Sequence, residues 1–573
     1  MGAAEDLQPA WAKFYPSGVP ASAEPPRYRL LGEAPADLAA RRGAARAFLT
    51  VLPNGLSGSL SFSDVDRLST DFAVYLREEL RLRQGARVAL QIPNGLAYPV
   101  VAFGVFKAGC ALVNVNPLYT PHEMAHVFAD SAPDVVVVID MFADKLAAAL
   151  RRPECVHLSP HVVLTQAASL FPAVKRMLVG AAQKHLRKEI PAPKIPCVAF
   201  AEALALGRRR ARLGPNLRAY VAGLAPGSIA CLQYTGGTTG LAKAAMLSHS
   251  NLISNVSQFL AFVGSAIRED DHVLTALPLY HSFAFTVNML GFYFRGAANV
   301  LIPSPRPLGN LRKAFAKTPI SFITGVNTLY NGLLHERWFV DAPPARLRLS
   351  VAGGMALQDA VARRWERVTQ TPLIEGYGLS EASPVLTFNP TLRVKPGTVG
   401  VPLPWTELRI LGEDGREAAP GAPGELVARG PQIMAGYWRQ PEETALALHD
   451  GWLRTGDVAT MDEDGYVTLV DRRKDMILVS GFNVYPSEIE AALCEHSGVR
   501  ECAVVGVSDE TTGEAVKAFV RREEGGLEAE TLRAFCRTRL ASYKIPKEIV
   551  FCDDLPKSNV GKILRRALRD RPE

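Results

Sequence analysis

No two of the eight cysteines in this 573-residue chain form a CxxC pair. Cys110, Cys155, Cys197, Cys231, Cys494, Cys502, Cys536 and Cys552 are scattered and lack metal-ligand spacing. Reduced thiols in a cytoplasmic protein are the expectation. No apolar run reaches the roughly 18 residues that a membrane span needs; the richest, Tyr98 to Val113, is broken by Lys107. The opening MGAAEDLQPAWAKFYP has neither the basic start nor the apolar core of a secretory signal. Asp6 stands where a myristoylation pattern needs Ser or Thr. Dense Lys/Arg tracts with interleaved aromatics are missing, so nucleic acid is not an expected partner. Internal repeats and low-complexity blocks are missing too.

What is there is 48% hydrophobic and 21% charged residues, with a formal charge of +7. The chain is too long for one compact core. A modest positive charge suits anionic small molecules or a membrane surface. Arg87–Ile92 and Ala111–Val115 read as strands around a helix over Tyr98–Lys107, with Asn94 as its cap. DVVVVID at Asp134–Asp140 is another strand, followed by a helix near Lys145–Leu150. This alternation predicts an α/β architecture with a parallel sheet. Gly400–Tyr437 is punctuated by Gly and Pro and predicts a β-rich subdomain reaching about residue 470. The charged DRRKD at 471–475 predicts a hinge between a large unit, 1–470, and a small α+β unit, 476–573, with short strands at Val504–Val507 and Val516–Val520.

Ser169–Ile190 (SLFPAVKRMLVGAAQKHLRKEI) puts Val174, Met177, Leu178 and Ala181 on one helical face, with Lys175, Arg176, Lys184, Arg187 and Lys188 around them. Two readings stand. The helix lies peripherally on an anionic membrane, or it packs its apolar side on the protein like any surface helix.

The densest chemistry is YTGGTTGLAK, Tyr234–Lys243: three glycines, three threonines and a lysine in ten residues. Glycines let backbone approach a phosphate closely. Hydroxyls and bare N–H groups then donate to its oxygens, and Lys243 adds a charge. A Walker loop needs Lys directly after Gly and a helix beginning there. Here Leu241 and Ala242 intervene and a strand-like AAML follows, so a γ-phosphate hydrolase or kinase is disfavoured.

This loop resembles the phosphate loop of the acyl-adenylate-forming enzymes. Further motifs follow in that family's order: PLYHSFAF (278–285), AGGM (352–355), EGYGLSEASP (375–384), GWLRTGD (451–457), DRRKDMILVSGFNVYPSEIE (471–490) and PKSNVGKILRR (556–566). WAKFYPSGVP, VNVNPLYTPHEM (113–124) and the insert PAVKRMLVGAAQKHLRKEIP are similar to long-chain fatty acyl-CoA synthetases in particular.

The resemblance implies ATP, Mg²⁺ and CoA acting on a fatty acid in two half-reactions. Thr235, Gly236, Gly237, Thr238, Thr239, Gly240 and Lys243 would hold the phosphates. Glu381, with Thr235, would hold Mg²⁺. Lys562, Glu381 and Thr238 are the implied catalytic residues, Lys562 bridging carboxylate and α-phosphate. Asp457 would bind the ribose hydroxyls, and Arg472 would make a second ribose or phosphate contact. Gly353, Gly354, Gly376 and Tyr377 would line the adenine and acyl-carbonyl region, and Ser380 would reach the α-phosphate. His281 would gate the site, and Asn483 would contact the adenylate. Rotation about Lys474 would then withdraw Lys562 and bring Ser480 and Gly481 to the pantetheine. Two departures are Ala244, where the family usually has Gly, and Arg473, at a variable position.

The apolar stretches Phe283–Phe294 and Ile323–Leu334 read either as an acyl tunnel or as core helices. Three functions follow in order: a fatty acid–CoA ligase for medium or long chains; an enzyme that loads a carrier-protein thiol or uses an aryl acid; and a non-catalytic lipid- or nucleotide-binding relative, which would be expected to lose Lys562, Glu381 or Asp457. The chain ends soon after PKSNVGKILRR, so any carrier is expected to be a separate protein. A homodimer is compatible with the sequence.

Overall fold

A computed structural model describes residues 9–19, 26–186, 189–235, 242–472, 475–480, 482–509, 511–523, 526–558 and 561–569. Four sheets form among these residues. The α/β prediction holds. In the seven-stranded sheet, Arg87–Gln91, Ala111–Asn114, Val135–Ile139 and Ile229–Thr235 run parallel, and Lys243–Ser248 closes one edge antiparallel. The VVVVI strand Val135–Ile139 is buried along its whole length, as a strand covered on both faces must be. A nine-stranded sheet carries His272–Thr275, Phe322–Gly325, Leu349–Ala352 and Leu373–Gly378 as parallel neighbours.

One apolar cluster takes in Phe48 and Leu274 of the larger sheet, Val88 and Val137 of the smaller, and Phe72 and Phe103 from the helices Phe62–Val74 and Ala97–Lys107. It also reaches Leu408, Ile410 and Leu426 of the expected β-rich region. There Glu407–Leu411, Gly424–Arg429, Trp452–Met461 and Val467–Arg472 pair antiparallel. Backbone hydrogen bonds Met246–Gly436 and Ala435–Met246 tie this sheet to the edge strand Lys243–Ser248. Three sheets are thereby locked around one cleft.

Several local readings change. Asn94 caps no helix: Ala97–Lys107 starts after Leu96 without a side-chain cap. Asn94 is instead buried, donating to the carbonyls of Thr275 and Leu277 and accepting from Leu279 N, which pins the segment leading to His281. In the tail, the short strands are long ones: Val499–Asp509 and Gly513–Arg522 pair antiparallel, with a register shift between Val499 and Glu501, because their polar ends keep the ladder's backbone bonds.

The basic amphipathic segment is helical over Ala173–Ala181 and continues as a π-turn to Leu186. Val174 (66% exposed), Met177 (67%) and Leu178 (55%) face outward, while Val179 is buried. The helix therefore does not pack that apolar stripe on the protein. Arg187 and Lys188 lie outside the described residues. No helix among the described residues is long and apolar enough to cross a membrane.

Candidate active site

The cleft, of about 2480 Å³, opens where the parallel strands of the larger sheet end. Carboxyl ends of parallel strands are where α/β proteins place ligands. Leu349–Ala352 delivers Gly353 and Gly354, Leu373–Gly378 delivers Gly376 and Tyr377, and all four line the cleft. Gly354 has φ +77°, a conformation that disfavours any side chain. A Cβ on Gly376 would lie 2.9 Å from the Phe388 ring, so only glycine fits there.

Asp457 reaches the same wall from the β-rich sheet. It is buried and accepts a hydrogen bond from Tyr377 Oη at 2.6 Å. Its register partner across the ladder is Arg472, so the expected ribose contact and the expected ribose or phosphate contact are neighbours by backbone pairing. Glu381 also lines the cleft and accepts from Tyr437 Oη at 2.8 Å. Ser380 follows one residue earlier, with its hydroxyl 2.9 Å from that of Ser282.

His281, from the middle of the chain, and Lys562, from near its C-terminal end, both line the cleft. Enclosure in the cleft, and then the charge of Lys562, push the His281 imidazole down to about 4. It is neutral at pH 7, in keeping with a gating ring rather than a cation. Lys562 sits in a tight turn: Ser558 N donates to its carbonyl at 2.6 Å, and its own N–H donates to Ser558 Oγ at 3.1 Å.

Thr235 and Lys243 line the cleft and pair across the antiparallel strands that flank the glycine-rich loop. A strand, not a helix, follows that loop, and this sets it apart from a Walker loop. Lys243 is ion-paired with Glu443 and lies over the Tyr437 ring. Ala244 is fully buried beside Tyr234, so its extra methyl is accommodated.

Gly236, Gly237, Thr238, Thr239, Gly240, Gly481, Arg473 and Lys474 lie outside the described residues, and of Arg472 the backbone alone is described. Ser480 and Asn483 are exposed on the Ile477–Val484 hairpin and are not among the residues lining the cleft in this orientation.

Three lining residues escaped the sequence reading. Glu375 accepts from Leu357 N at 3.1 Å, and burial pushes its carboxyl up to about 8, so it is neutral at pH 7. It stands inside the quoted EGYGLSE motif, but nothing in one sequence tells a buried acid from a solvated one. Tyr437 and Glu443, the partners of Glu381 and Lys243, sit in GYWRQPEE, which carries no local signal of its role. Of the two apolar stretches, Phe283 and Val287 reach the cleft from the first and Val326, Asn327 and Thr328 from the second. Ala284–Phe292 is otherwise buried core.

The glycine-cleared strand ends, an aspartate held by a tyrosine, a cleft carboxylate and a lysine thus come together in one cleft. Residues 36–438 match the model of the AMP-binding enzyme family, and residues 488–562 match that of the AMP-binding enzyme C-terminal domain. The chain is 45% identical over 567 residues to a long-chain-fatty-acid–CoA ligase of Yersinia pestis, covering 98% of each chain. Its fold is similar to that of the anthranilate CoA ligase AuaEII solved with anthranoyl-AMP (TM-score 0.82, 25% identity, 96% of this chain and 98% of that one). It is also similar to ATP-bound MatB from Rhodopseudomonas palustris (TM-score 0.79, 28% identity, 94% and 98%). The chain belongs to the AMP-binding enzyme family.

Proposed function

We propose that this protein joins a medium- or long-chain fatty acid to CoA at the expense of ATP, releasing AMP and diphosphate. The observation that carries the reading is Lys562 brought beside His281 in the cleft that also holds Asp457 and Glu381. The near-full-length relative named for long-chain fatty acids supports the substrate class. So does the apolar part of the cleft wall, formed by Phe283, Val287, Val351, Val385 and Phe388.

In the first half-reaction a fatty acid carboxylate oxygen attacks the α-phosphorus, and the bond to the β-phosphate oxygen breaks with its electron pair. Both reactants are anions, so the step needs positive charge and oriented donors rather than a base. Lys562 holds the carboxylate and the α-phosphate together. Asp457, kept in place by Tyr377, accepts from the ribose hydroxyls. Lys243 exchanges Glu443 for the departing phosphates. Thr238 and its loop neighbours donate to them.

Glu381 and Thr235 supply one carboxylate and one hydroxyl on the cleft wall, a donor set that suits Mg²⁺ shared with phosphate oxygens and water. No cluster of three or more His, Cys, Asp or Glu forms a ready cage among the described residues. When bound, the ion would neutralise charge on the pyrophosphate. In the second half-reaction the small unit turns about Lys474, and the CoA thiol, its proton given up to solvent, attacks the acyl carbon as the thiolate. AMP then leaves with the electrons of the C–O bond. The outward stripe Val174, Met177 and Leu178, flanked by Lys175 and Arg176, would rest on an anionic membrane and take the lipid from it.

The test is a panel of acids from short to long chain, with aryl acids alongside, supplied with ATP, Mg²⁺ and CoA. AMP release and acyl-CoA are followed by mass. The reading expects the highest kcat/KM with medium or long chains. A preference for aryl acids, or transfer to a carrier-protein thiol but not to CoA, would replace it.

A further inference from the structure

Lys562 can act only if the small unit is seated so that its turn enters the cleft, and one strip of the large unit meets it there. The helix Asn327–Leu333 and the turn after it present Thr328, Asn331 and His335 at i, i+3 and i+7, a spacing that stacks them on one side of a helix. Each contacts a different part of the small unit. Thr328 Oγ1 donates to the carbonyl of Gly561 at 3.1 Å. Asn331 Nδ2 donates to the carbonyl of Arg500 at 3.1 Å. His335 Nε2 lies 3.0 Å from Glu523 Oε1, and its Nδ1 lies 2.7 Å from the carbonyl of Asn331.

The first contact falls on the residue immediately before Lys562. Gly561 has φ +88°, and a Cβ there would lie 2.9 Å from Thr328 Oγ1 and 3.0 Å from an Arg306 nitrogen. The glycine therefore serves two ends: it turns the chain, and it lets its carbonyl reach Thr328. Gly561 N in turn donates to Ser558 O at 2.8 Å, so the turn is braced from within and docked from outside.

We propose that Thr328, Asn331 and His335 are positioning residues for adenylate formation: they dock the small unit in the orientation that delivers Lys562, Thr328 doing so through the Gly561 carbonyl. The proposal rests on the fatty acid–CoA ligase reading. None of the three has a part in the thioester step, for which the small unit must leave this strip. Their loss should slow the first half-reaction and spare the second, whereas a merely structural role would lower both.

The experiment measures carboxylate-dependent ATP–pyrophosphate exchange and, separately, thiolysis of supplied acyl-adenylate by CoA. It uses the full-length wild type, Thr328→Val, Thr328→Ser and the triple variant Thr328→Val/Asn331→Ala/His335→Ala. Loss of one neutral hydrogen bond should cut exchange by Thr328→Val about fivefold, and the triple variant by well over tenfold. Thr328→Ser should restore exchange, and thiolysis should stay within about twofold of wild type throughout.

Hydrogen–deuterium exchange over residues 556–566 reads the docking without catalysis. It should quicken in Thr328→Val and not in Thr328→Ser. Equal loss of both half-reactions, or unchanged deuterium uptake in Thr328→Val, overturns the proposal. A wild type inert in exchange with every acid would instead sink the ligase reading, while the deuterium measurement still decides the docking.

Discussion

The two units that share the cleft are each built around apolar cores, yet no apolar core joins them. Among the described residues, the three clusters of the large unit end by Leu469, and the two of the small unit begin at Ile477. Within the large unit, the three sheets share one continuous cluster; Tyr377 belongs to it, Tyr437 packs against it, and they hold Asp457 and Glu381 by hydrogen bonds. Between the units run polar contacts: Thr328 to Gly561, Asn331 to Arg500, His335 to Glu523, and Gln358 Nε2 to Cys494 Sγ at 2.9 Å. Polar contacts exchange for water at little net cost, whereas parting an apolar interface exposes surface at about 25 cal/mol per Å². On the proposed mechanism, the half of the site that holds the nucleotide is the one fixed by apolar packing, and the half that turns is held by bonds that water can replace.

The largest expected effect breaks this comparison at its moving end. Lys562→Ala should lower ATP–pyrophosphate exchange by roughly 10²–10³-fold, yet leave thiolysis of supplied acyl-adenylate largely intact. Equal loss in both assays would mean that Lys562 does not serve the first step alone. Next comes the anchor on the hinge side. Arg565 donates to Glu490 at 2.7 and 3.1 Å and lies 3.4 Å from both Asp471 and Asp475. Burial pushes the Glu490 carboxyl up even with Arg565 beside it. Arg565→Ala leaves that acid without its cation and should destabilise the small unit by about 3 kcal/mol. Urea unfolding of the full chain should then show an earlier small-unit transition. A single unshifted transition would say that this cluster does not support the unit.

Much of this arrangement was legible in the residues, and the illegible parts share a cause. Continuous apolar runs such as DVVVVID marked strands, because a strand covered on both faces has to read that way. The motifs pointed to the glycines, Tyr377, Glu381, Asp457 and Lys562 of the cleft wall. Partnerships across long sequence distances were not legible. Asn94 looks like a cap in its local context, but its partners lie more than 180 residues on, at Thr275, Leu277 and Leu279. Lys243 reads as a phosphate ligand with nothing to announce Glu443, 200 positions away. Thr328, Asn331 and His335 have helical spacing, but only the fold shows that the strip faces the small unit rather than the core.

Two smaller effects sharpen the rigid side. Tyr377→Phe removes the hydrogen bond that Tyr377 Oη donates to the buried Asp457 while keeping the ring, a loss on the order of 1.5 kcal/mol. The KM for ATP should rise about tenfold with little change in kcat, because the contact serves ground and transition states alike. A fall in kcat with KM unchanged would move Tyr377 from holding the nucleotide to the chemistry.

Glu375 carries the subtlest consequence. Burial raises its carboxyl to about 8, against an unfolded value near 4.5. Between those values the folded protein keeps a proton that the unfolded chain gives up, so stability falls as pH rises. Below about 4.5 both states are protonated and the penalty vanishes; above about 8 both are ionised and it levels off. Glu375→Gln should remove this slope. Its Tm should match the wild type near pH 5 and exceed it at pH 8, with the gap opening steadily between. Parallel Tm curves would show that Glu375 ionises freely, and the cleft wall beside Leu357 would then be wetter than its packing implies.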